Sequence, residues 1–128
     1  MVRIALITGA NKGIGREIAR QLAEAGVTVI IGARDPERGQ AAADDLAARG
    51  LKAEAIRIDL TDGDSISAAA ETIRDRHGRL DILVNNAGIV DAQDGPPSSG
   101  SPEAARRIME TNFIGTLAVT QAMLPLLR

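Results

Sequence analysis

Apolar residues fall in short runs that alternate along the chain with longer segments of helical periodicity. Residues 2–8 and Thr28–Ala33 are apolar runs of strand length, and the first is followed by a glycine. Residues 52–58 alternate between small or apolar and charged positions, which is typical of a strand near a sheet edge. Residues 80–84 form another apolar run. The pattern predicts four strands.

Between these runs, apolar or small residues recur every three or four positions, which predicts helices. The first helix begins at about Gly13 and ends at Gly26. It carries an apolar stripe and, beside it, a stripe of small residues that can lie close on a sheet. The two stripes are Ile14, Ile18 and Leu22, and Gly15, Ala19 and Ala23.

The later helices have recognisable ends. Asp35 and Pro36 suit the N-cap and first position of a helix that stops at Gly50. The next helix covers about residues 64–77. Residues 91–102 are rich in Gly, Pro, Ser and Asp, which predicts a flexible loop. The last helix restarts at residues 101–102 and is expected to reach the chain end, with a kink at Pro125.

Strands that alternate with helices predict an α/β fold with a parallel sheet and right-handed crossovers. A Rossmann-like doubly wound sheet, in a three-layer αβα arrangement, would have the strand order 3-2-1-4. The turns after all four strands then open at one carboxyl edge, where ligands bind in such sheets. That edge would bring together the glycine turn, Arg34, Asp59 and residues 85–88.

Composition narrows the function classes. The 128 residues suffice for one domain, and the net charge of −2 gives no reason to expect nucleic-acid or membrane binding. The chain has no cysteine and one histidine, His77, so we expect no metal site. No apolar run approaches the ~20 residues of a membrane span. A cytoplasmic protein is the expectation. Phe113 is the only aromatic residue, which leaves no stacking platform for bases.

The glycine turn favours an anion site. Glycines at 9, 13 and 15 allow a tight turn, and a helix beginning near Gly13 would direct free N–H groups at a pyrophosphate. The alternative is a tight connection that binds nothing. The turn is not a Walker P-loop, because Lys12 precedes Gly13 and no Gly-Lys-Ser/Thr follows.

The end of the second strand bears on the choice between NADP and NAD. Spacing alone would select Asp35 as the ribose acceptor of an NAD site, but Asp35 precedes Pro36 and suits a helix cap better. Arg34 suits a 2′-phosphate, and Lys12 and Arg38 could add positive charge. We therefore favour NADP(H) over NAD(H). The alternative is that these cations belong to a solvated surface.

Four polar residues have both a structural and a functional interpretation. Asp59 either caps the following turn or also accepts from the adenine amine. Asn85 and Asn86 either tie strand ends together or border the cofactor. Asn112 interrupts the apolar stripe of the last helix, so we expect a buried amide held by partners or water. It is either a structural hydrogen-bonding group or a relay below an active site.

Four motifs in this order resemble the short-chain dehydrogenase/reductase family of the classical type, along the whole chain. They are residues 8–15 (TGANKGIG), 59–60 (DL), 85–88 (NNAG) and 110–116 (ETNFIGT). The ANKGIG turn, residues 33–35 (ARD), 38–42 (RGQAA) and 111–113 (TNF) look most like the NADPH-dependent carbonyl reductases.

The resemblance implies roles for individual residues. Residues 9–15 would hold the pyrophosphate, Arg34 the 2′-phosphate, Asp59 and Leu60 the adenine, and residues 86–88 the adenosine ribose. Asn112 would be the asparagine of the family's Asn-Ser-Tyr-Lys catalytic tetrad. The expected cofactor-binding residues are Gly9, Asn11, Lys12, Gly13, Ile14, Gly15, Arg34, Arg38, Asp59, Leu60, Asn85, Asn86, Ala87 and Gly88.

The family's Ser and Tyr-x-x-x-Lys are missing from this sequence, which contains no tyrosine. We therefore interpret residues 1–128 as the NADP-binding half of a reductase of about twice this length, inactive alone. The whole protein would reduce a small-molecule ketone or aldehyde. A non-catalytic NADP(H)-binding module and an NAD-dependent alcohol dehydrogenase are the alternatives. In the family the last helix often forms a dimer interface, which implies a homo-oligomer.

Overall fold

A computed structural model describes residues 2–87 and 101–127 of the chain. Strands and helices alternate throughout that part. In chain order they are β1 (Ile4–Thr8), α1 (Gly13–Glu24), β2 (Thr28–Ala33), α2 (Pro36–Ala48), β3 (Ala53–Arg57), α3 (Gly63–His77), β4 (Ile82–Val84), α4 (Pro102–Met123) and a 3₁₀ turn (Leu124–Leu126). Most of the predicted loop 91–102 lies outside the described residues, and Ser101 and Pro102 are the N-cap and first residue of α4.

The four strands form one parallel sheet in the order β3-β2-β1-β4. Ala5 of β1 lies opposite Val29 of β2 on one side and Ile82 of β4 on the other. The order and the strand direction confirm the predicted Rossmann-like fold. Because all strands run the same way, the loops that follow β1, β2, β3 and β4 open at one edge.

The sheet separates two apolar cores. Alternate residues of β1 point to opposite faces, so Ala5 and Ile7 join one core, and Ile4 and Leu6 join the other. Small residues of α1 and α2 pack on the first face. Larger side chains of α3 and α4 pack on the second: Ile66, Ile73, Val119 and Met123.

Helix ends follow the sequence signals. Asp35 caps α2, since its Oδ1 accepts from the backbone N–H of Glu37 at 2.9 Å and of Arg38 at 3.4 Å. Asp62 caps α3 in the same way. Gly26 ends the turn after α1 with a φ of +92°, a conformation that favours glycine.

The small-residue stripe of Gly15, Ala19 and Ala23 is the buried face of α1, as expected, whereas Ile14 is 75% exposed. Two expectations need correction. The last helix ends at Met123, and the chain continues in a 3₁₀ turn that contains Pro125. Asn112 is half-buried rather than buried. In that helix the buried positions are Ala104, Gly115, Val119 and Met123.

Candidate functional site

The glycine turn lies between β1 and α1 at the carboxyl edge of the sheet. Gly9 has a φ of +64°, and a Cβ there would lie 2.9 Å from the Cα of Ala87. Gly13 has a φ of +60° and begins α1. The backbone N–H groups of the first helical turn have no intrahelical carbonyl partners, which makes the turn an anion-binding position.

Gly15 allows α1 to approach the loop after β4. A Cβ at this position would lie 2.5 Å from both Asn86 Nδ2 and the carbonyl oxygen of Gly9. The same Asn86 amide donates to that Gly9 oxygen at 3.2 Å. Gly15 therefore shapes the site through packing, and any side chain there would displace the loop.

Thr8 opens the glycine motif, but it is not among the site residues expected from the sequence. Its side chain is almost completely buried at 2% exposure, and its Oγ1 accepts from the backbone N–H groups of Asn86 and Ala87, both at 3.0 Å. The hydroxyl thus joins the glycine turn to the loop after β4. The available signal was a hydroxyl residue at the end of an otherwise apolar strand.

A cleft of about 380 Å³ opens along this edge. It brings together most of the residues expected to bind a cofactor and adds Asp35 and Ile58. Its lining is Gly9, Asn11, Lys12, Gly13, Arg34, Asp35, Arg38, Ile58, Asp59, Leu60, Asn86 and Ala87. Ile14, Gly15 and Asn85 do not line it, and Gly88 lies outside the described residues.

Three cations line the cleft: Lys12 in the glycine turn, Arg34 directly after β2, and Arg38 in the first turn of α2. Arg38 Nε lies 3.6 Å from Asp35 Oδ2, and both side chains are largely exposed. Positive charge here surrounds the end of β2, the position at which a dinucleotide ribose is recognised in Rossmann folds.

Asp59 also lines the cleft, directly after Ile58. Its Oδ1 accepts from the backbone N–H of Thr61 at 2.9 Å and from the Thr61 hydroxyl at 2.6 Å. Partial burial alone would raise the pKa of Asp59. The two Thr61 hydrogen bonds, with Arg57 and Arg34 nearby, outweigh burial and hold that pKa below its usual value. The carboxylate is therefore an acceptor at neutral pH.

The loop after β4 is joined to α4 through Asn85. Asn85 Nδ2 donates to Thr120 Oγ1 at 3.1 Å, and that hydroxyl donates to the carbonyl of Thr116 at 2.9 Å. Helix α4 also lies close to the loop after β3, because a Cβ on Gly115 would be 2.6 Å from the Cβ of Leu60. These contacts fix α4 against the cleft.

Asn112 lies on α4, one helical turn before Gly115. It does not line the cleft. The outward face of the same helix carries four exposed apolar side chains: Met109, Phe113, Ile114 and Leu117. Phe113, the only aromatic residue of the chain, is 70% exposed.

The described residues contain neither a membrane-spanning helix nor a cluster of metal ligands. No helix within 2–87 or 101–127 has the length and apolarity required to cross a membrane. Nor do those residues contain a group of three or more His, Asp or Glu side chains that could hold a metal ion.

Comparison with known proteins decides the family. The family model for short chain dehydrogenase matches residues 3–128, which is nearly the whole chain. This chain belongs to the short-chain dehydrogenase family. A short-chain relative, carbonyl reductase [NADPH] 1 of Sus scrofa, is 44% identical over 98% of this chain and 43% of its own length.

Solved structures of other family members have the same fold. A metagenomic short-chain oxidoreductase in complex with NADP superposes with a TM-score of 0.81 at 36% identity, covering 96% of this chain and 55% of its own. A gluconate 5-dehydrogenase from Burkholderia cenocepacia J2315, in complex with NADP and tartrate, gives 0.81 at 36% identity, covering 96% and 48%. The chain spans about half the length of the curated relatives it matches.

Proposed function

We propose that this chain is the nucleotide-binding part of an NADPH-dependent short-chain reductase that reduces the carbonyl group of a ketone or aldehyde. One observation carries the proposal: the start of α1 and three cations open into the same cleft. The names of relatives such as carbonyl reductase [NADPH] 1 and the NADP-bound structural neighbours support the choice of cofactor. The proposal retains the expected small-molecule carbonyl or alcohol substrate and the expected cytoplasmic location.

The pyrophosphate would lie over the glycine turn. Gly9 is in close contact with Ala87, and Gly13 has nothing within 4 Å of a Cβ built on it, so the turn leaves open space beside the start of α1. The free N–H groups of that helix and the positive end of its dipole favour a doubly charged group there. Asn11 borders the same space.

The adenosine 2′-phosphate would lie between Arg34, Lys12 and Arg38. Arg34 presents a planar guanidinium that can donate two parallel hydrogen bonds to a phosphate. On the adenine side, the Asp59 carboxylate would accept from the amine while Leu60 and Ile58 supply apolar contact. The residues present therefore fit both ends of the adenosine 2′-phosphate.

When bound, NADPH supplies the hydride for carbonyl reduction. Reduction also requires a proton for the developing alkoxide, held by a positioned group. We assign Asn112 to the positioning of that proton supply, from its half-buried place on α4 beside the cleft. Ile14, Gly15 and Gly88 stay on the list of proposed cofactor-binding residues, with Gly15 acting through packing. For Asn85 we favour the structural alternative, because its amide donates to Thr120 on α4.

The proposal includes a homo-oligomer formed through α4. Met109, Phe113 and Leu117 are spaced four residues apart and form one exposed apolar strip, with Ile114 beside it. Contiguous apolar surface of this kind is characteristic of protein–protein contacts. Phe113→Glu should convert an oligomer to a monomer in sedimentation experiments while the monomer stays folded, because the side chain is 70% exposed in the isolated chain.

The cofactor assignment is tested by Arg34→Asp. The substitution replaces the phosphate-binding fork with a like charge, so the Kd for NADPH should rise at least about tenfold while the Kd for NADH stays the same or falls. Titration of the chain with each dinucleotide measures both. Arg74→Asp, an equal charge change on the exposed face of α3, is the matched control. An unchanged NADPH affinity in Arg34→Asp would refute the 2′-phosphate assignment.

The reaction is tested on the whole protein with NADPH and a panel of ketones and aldehydes, following NADPH oxidation by absorbance. Asn112→Ala should lower kcat with little effect on the Kd for NADPH, because the proposed role concerns the proton rather than cofactor binding. NADPH binding without turnover of any carbonyl would favour a binding module over a reductase.

A further inference from the structure

Asp35 lines the same cleft as Arg34 and Arg38, but its carboxylate contacts the first turn of α2. Its Oδ1 accepts from the backbone N–H groups of Glu37 and Arg38 at 2.9 and 3.4 Å. Its Oδ2 lies 3.6 Å from the guanidinium Nε of Arg38. Both oxygens are therefore engaged by the first turn of α2.

This engagement has a consequence for ribose recognition. In NAD sites a carboxylate near the end of β2 accepts from the ribose 2′-hydroxyl. Asp35 is the carboxylate at that place, but its oxygens are directed to the helix. The hydroxyl of an NAD-type ribose would have to share Oδ2 with Arg38 or compete with the capping hydrogen bonds at Oδ1.

The capping role leaves the negative charge in place. Asp35 lines the same cleft as Arg34, Lys12 and Arg38, and its side chain remains about half exposed. A 2′-phosphate held by these cations would be repelled by the carboxylate, and Arg38 would be shared between the two. The cations alone would therefore bind a phosphate more tightly than the complete site does.

We propose that Asp35 limits the preference of this site for 2′-phosphorylated nucleotides. The carboxylate caps α2 and is thereby withheld from the ribose hydroxyl, while its charge weakens the 2′-phosphate contact. The proposal rests on the proposed NADP-binding function. It makes Asp35 a specificity-determining residue whose removal strengthens the selectivity of the site.

The experiment compares adenosine 2′,5′-bisphosphate with 5′-AMP, which differ only in the 2′-phosphate. Asp35→Asn and Asp35→Ser keep a capping oxygen and remove the charge. Both should increase the ratio of the two dissociation constants by about three- to tenfold in low salt, through the gain for the bisphosphate. The gain should shrink in 0.5 M salt, where charges in an open cleft are screened. Calorimetric titration measures both dissociation constants for wild type and for each variant.

Asp62→Asn is the matched control, because Asp62 caps α3 through the same two-bond pattern and does not line the cleft. It should leave the ratio unchanged. Asp35→Ala separates charge from capping, since it should raise the ratio like Asp35→Asn while lowering the unfolding midpoint further.

The outcomes are distinct. If wild type prefers the bisphosphate and the Asp35 variants do not increase that preference, the proposed role of Asp35 is wrong while the NADP site stands. A decreased preference would mean that Asp35 holds Arg38 in its binding position, which also contradicts the proposal. If wild type binds neither nucleotide, the NADP site itself fails and the role of Asp35 fails with it.

Discussion

The two ends of the β1–β4 pair are tied by different chemistry. At the carboxyl end, the neutral hydroxyl of Thr8 accepts two backbone N–H groups from the loop after β4. At the amino end, the carboxylate of Asp81 accepts from the N–H of Ile4 at 2.8 Å. Arg79 Nε lies 3.2 Å from the same carboxylate. Both sets of hydrogen bonds join β1 to the residues that flank β4, in addition to the backbone hydrogen bonds of the sheet.

The difference follows from what each edge faces. The carboxyl edge carries the cleft and the start of α1, where we propose that a pyrophosphate binds, and a buried carboxylate there would repel it. A hydroxyl joins the same loops without charge. The amino edge has no such constraint, so a partly exposed ion pair is tolerated there. The comparison therefore predicts that the Thr8 hydrogen bonds make a large, pH-independent contribution to stability at the carboxyl edge. The Asp81 contacts at the amino edge should make a smaller contribution that is lost in acid.

Thr8→Val should have the largest effect. Valine fills the same space but cannot accept a hydrogen bond, so the N–H groups of Asn86 and Ala87 lose their acceptor. Both N–H groups are partly buried, and each costs up to about 1–3 kcal/mol when unsatisfied, so we expect the free energy of unfolding to fall by about 2–4 kcal/mol. Urea unfolding measures the loss.

Thr8→Ser is the control, because serine keeps the hydroxyl and should recover most of the stability that Thr8→Val loses. The loss in Thr8→Val should also be the same at pH 4 and pH 7, since no charge is involved. Equal stability of the Val and Ser variants would mean that the hydroxyl does not hold the loop.

Gly15→Ala tests the same edge through packing. The new methyl group would meet Asn86 Nδ2 and the Gly9 carbonyl at 2.5 Å, so α1 or the loop must shift. Overpacking of this kind costs about 1–3 kcal/mol, and adenosine 2′,5′-bisphosphate should bind more weakly. Gly63→Ala, with nothing within 4 Å of the added atom, is the control and should be neutral or slightly stabilising. Wild-type affinity in Gly15→Ala would show that the close approach is not required for binding.

The sequence was sufficient for the features that depend on local pattern. The apolar runs and the cap at Asp35 predicted strands and helices, because periodicity and capping act within a few residues. The strand order followed only from the rules for Rossmann-like sheets. Thr8 and Asp81 were missed because their partners lie more than 70 residues away in the chain.

Asp81 provides the acid-sensitive half of the comparison. The hydrogen bond from the Ile4 N–H, and then Arg79, hold the pKa of Asp81 below its usual 3.8. A depressed folded-state pKa contributes stability above the unfolded value, and this stability is lost as pH falls through the folded value. Asp81→Asn should therefore unfold at lower urea than wild type at pH 7, by less than Gly15→Ala, and the gap should close below pH 4. If the difference in stability between wild type and Asp81→Asn stayed constant from pH 7 to pH 3, the charge of Asp81 would not contribute to stability.

The smallest effect is expected for the link between Asn85 and Thr120. Asn85 is exposed, so the loss of one hydrogen bond should cost at most about 1 kcal/mol. Asn85→Ala and Thr120→Val should each lose a similar amount of stability, and the double variant should lose little more than either one, because both remove the same bond.

Nucleotide titration of these variants separates two roles for Asn85. A structural tie predicts unchanged affinity for NADPH in both variants, whereas a direct cofactor contact predicts weaker binding in Asn85→Ala alone. The Asn85 amide is directed to α4 and does not line the cleft, so we expect wild-type affinity for NADPH in both variants. Asn85 would then join the loop after β4 to α4, as Thr8 joins that loop to the glycine turn.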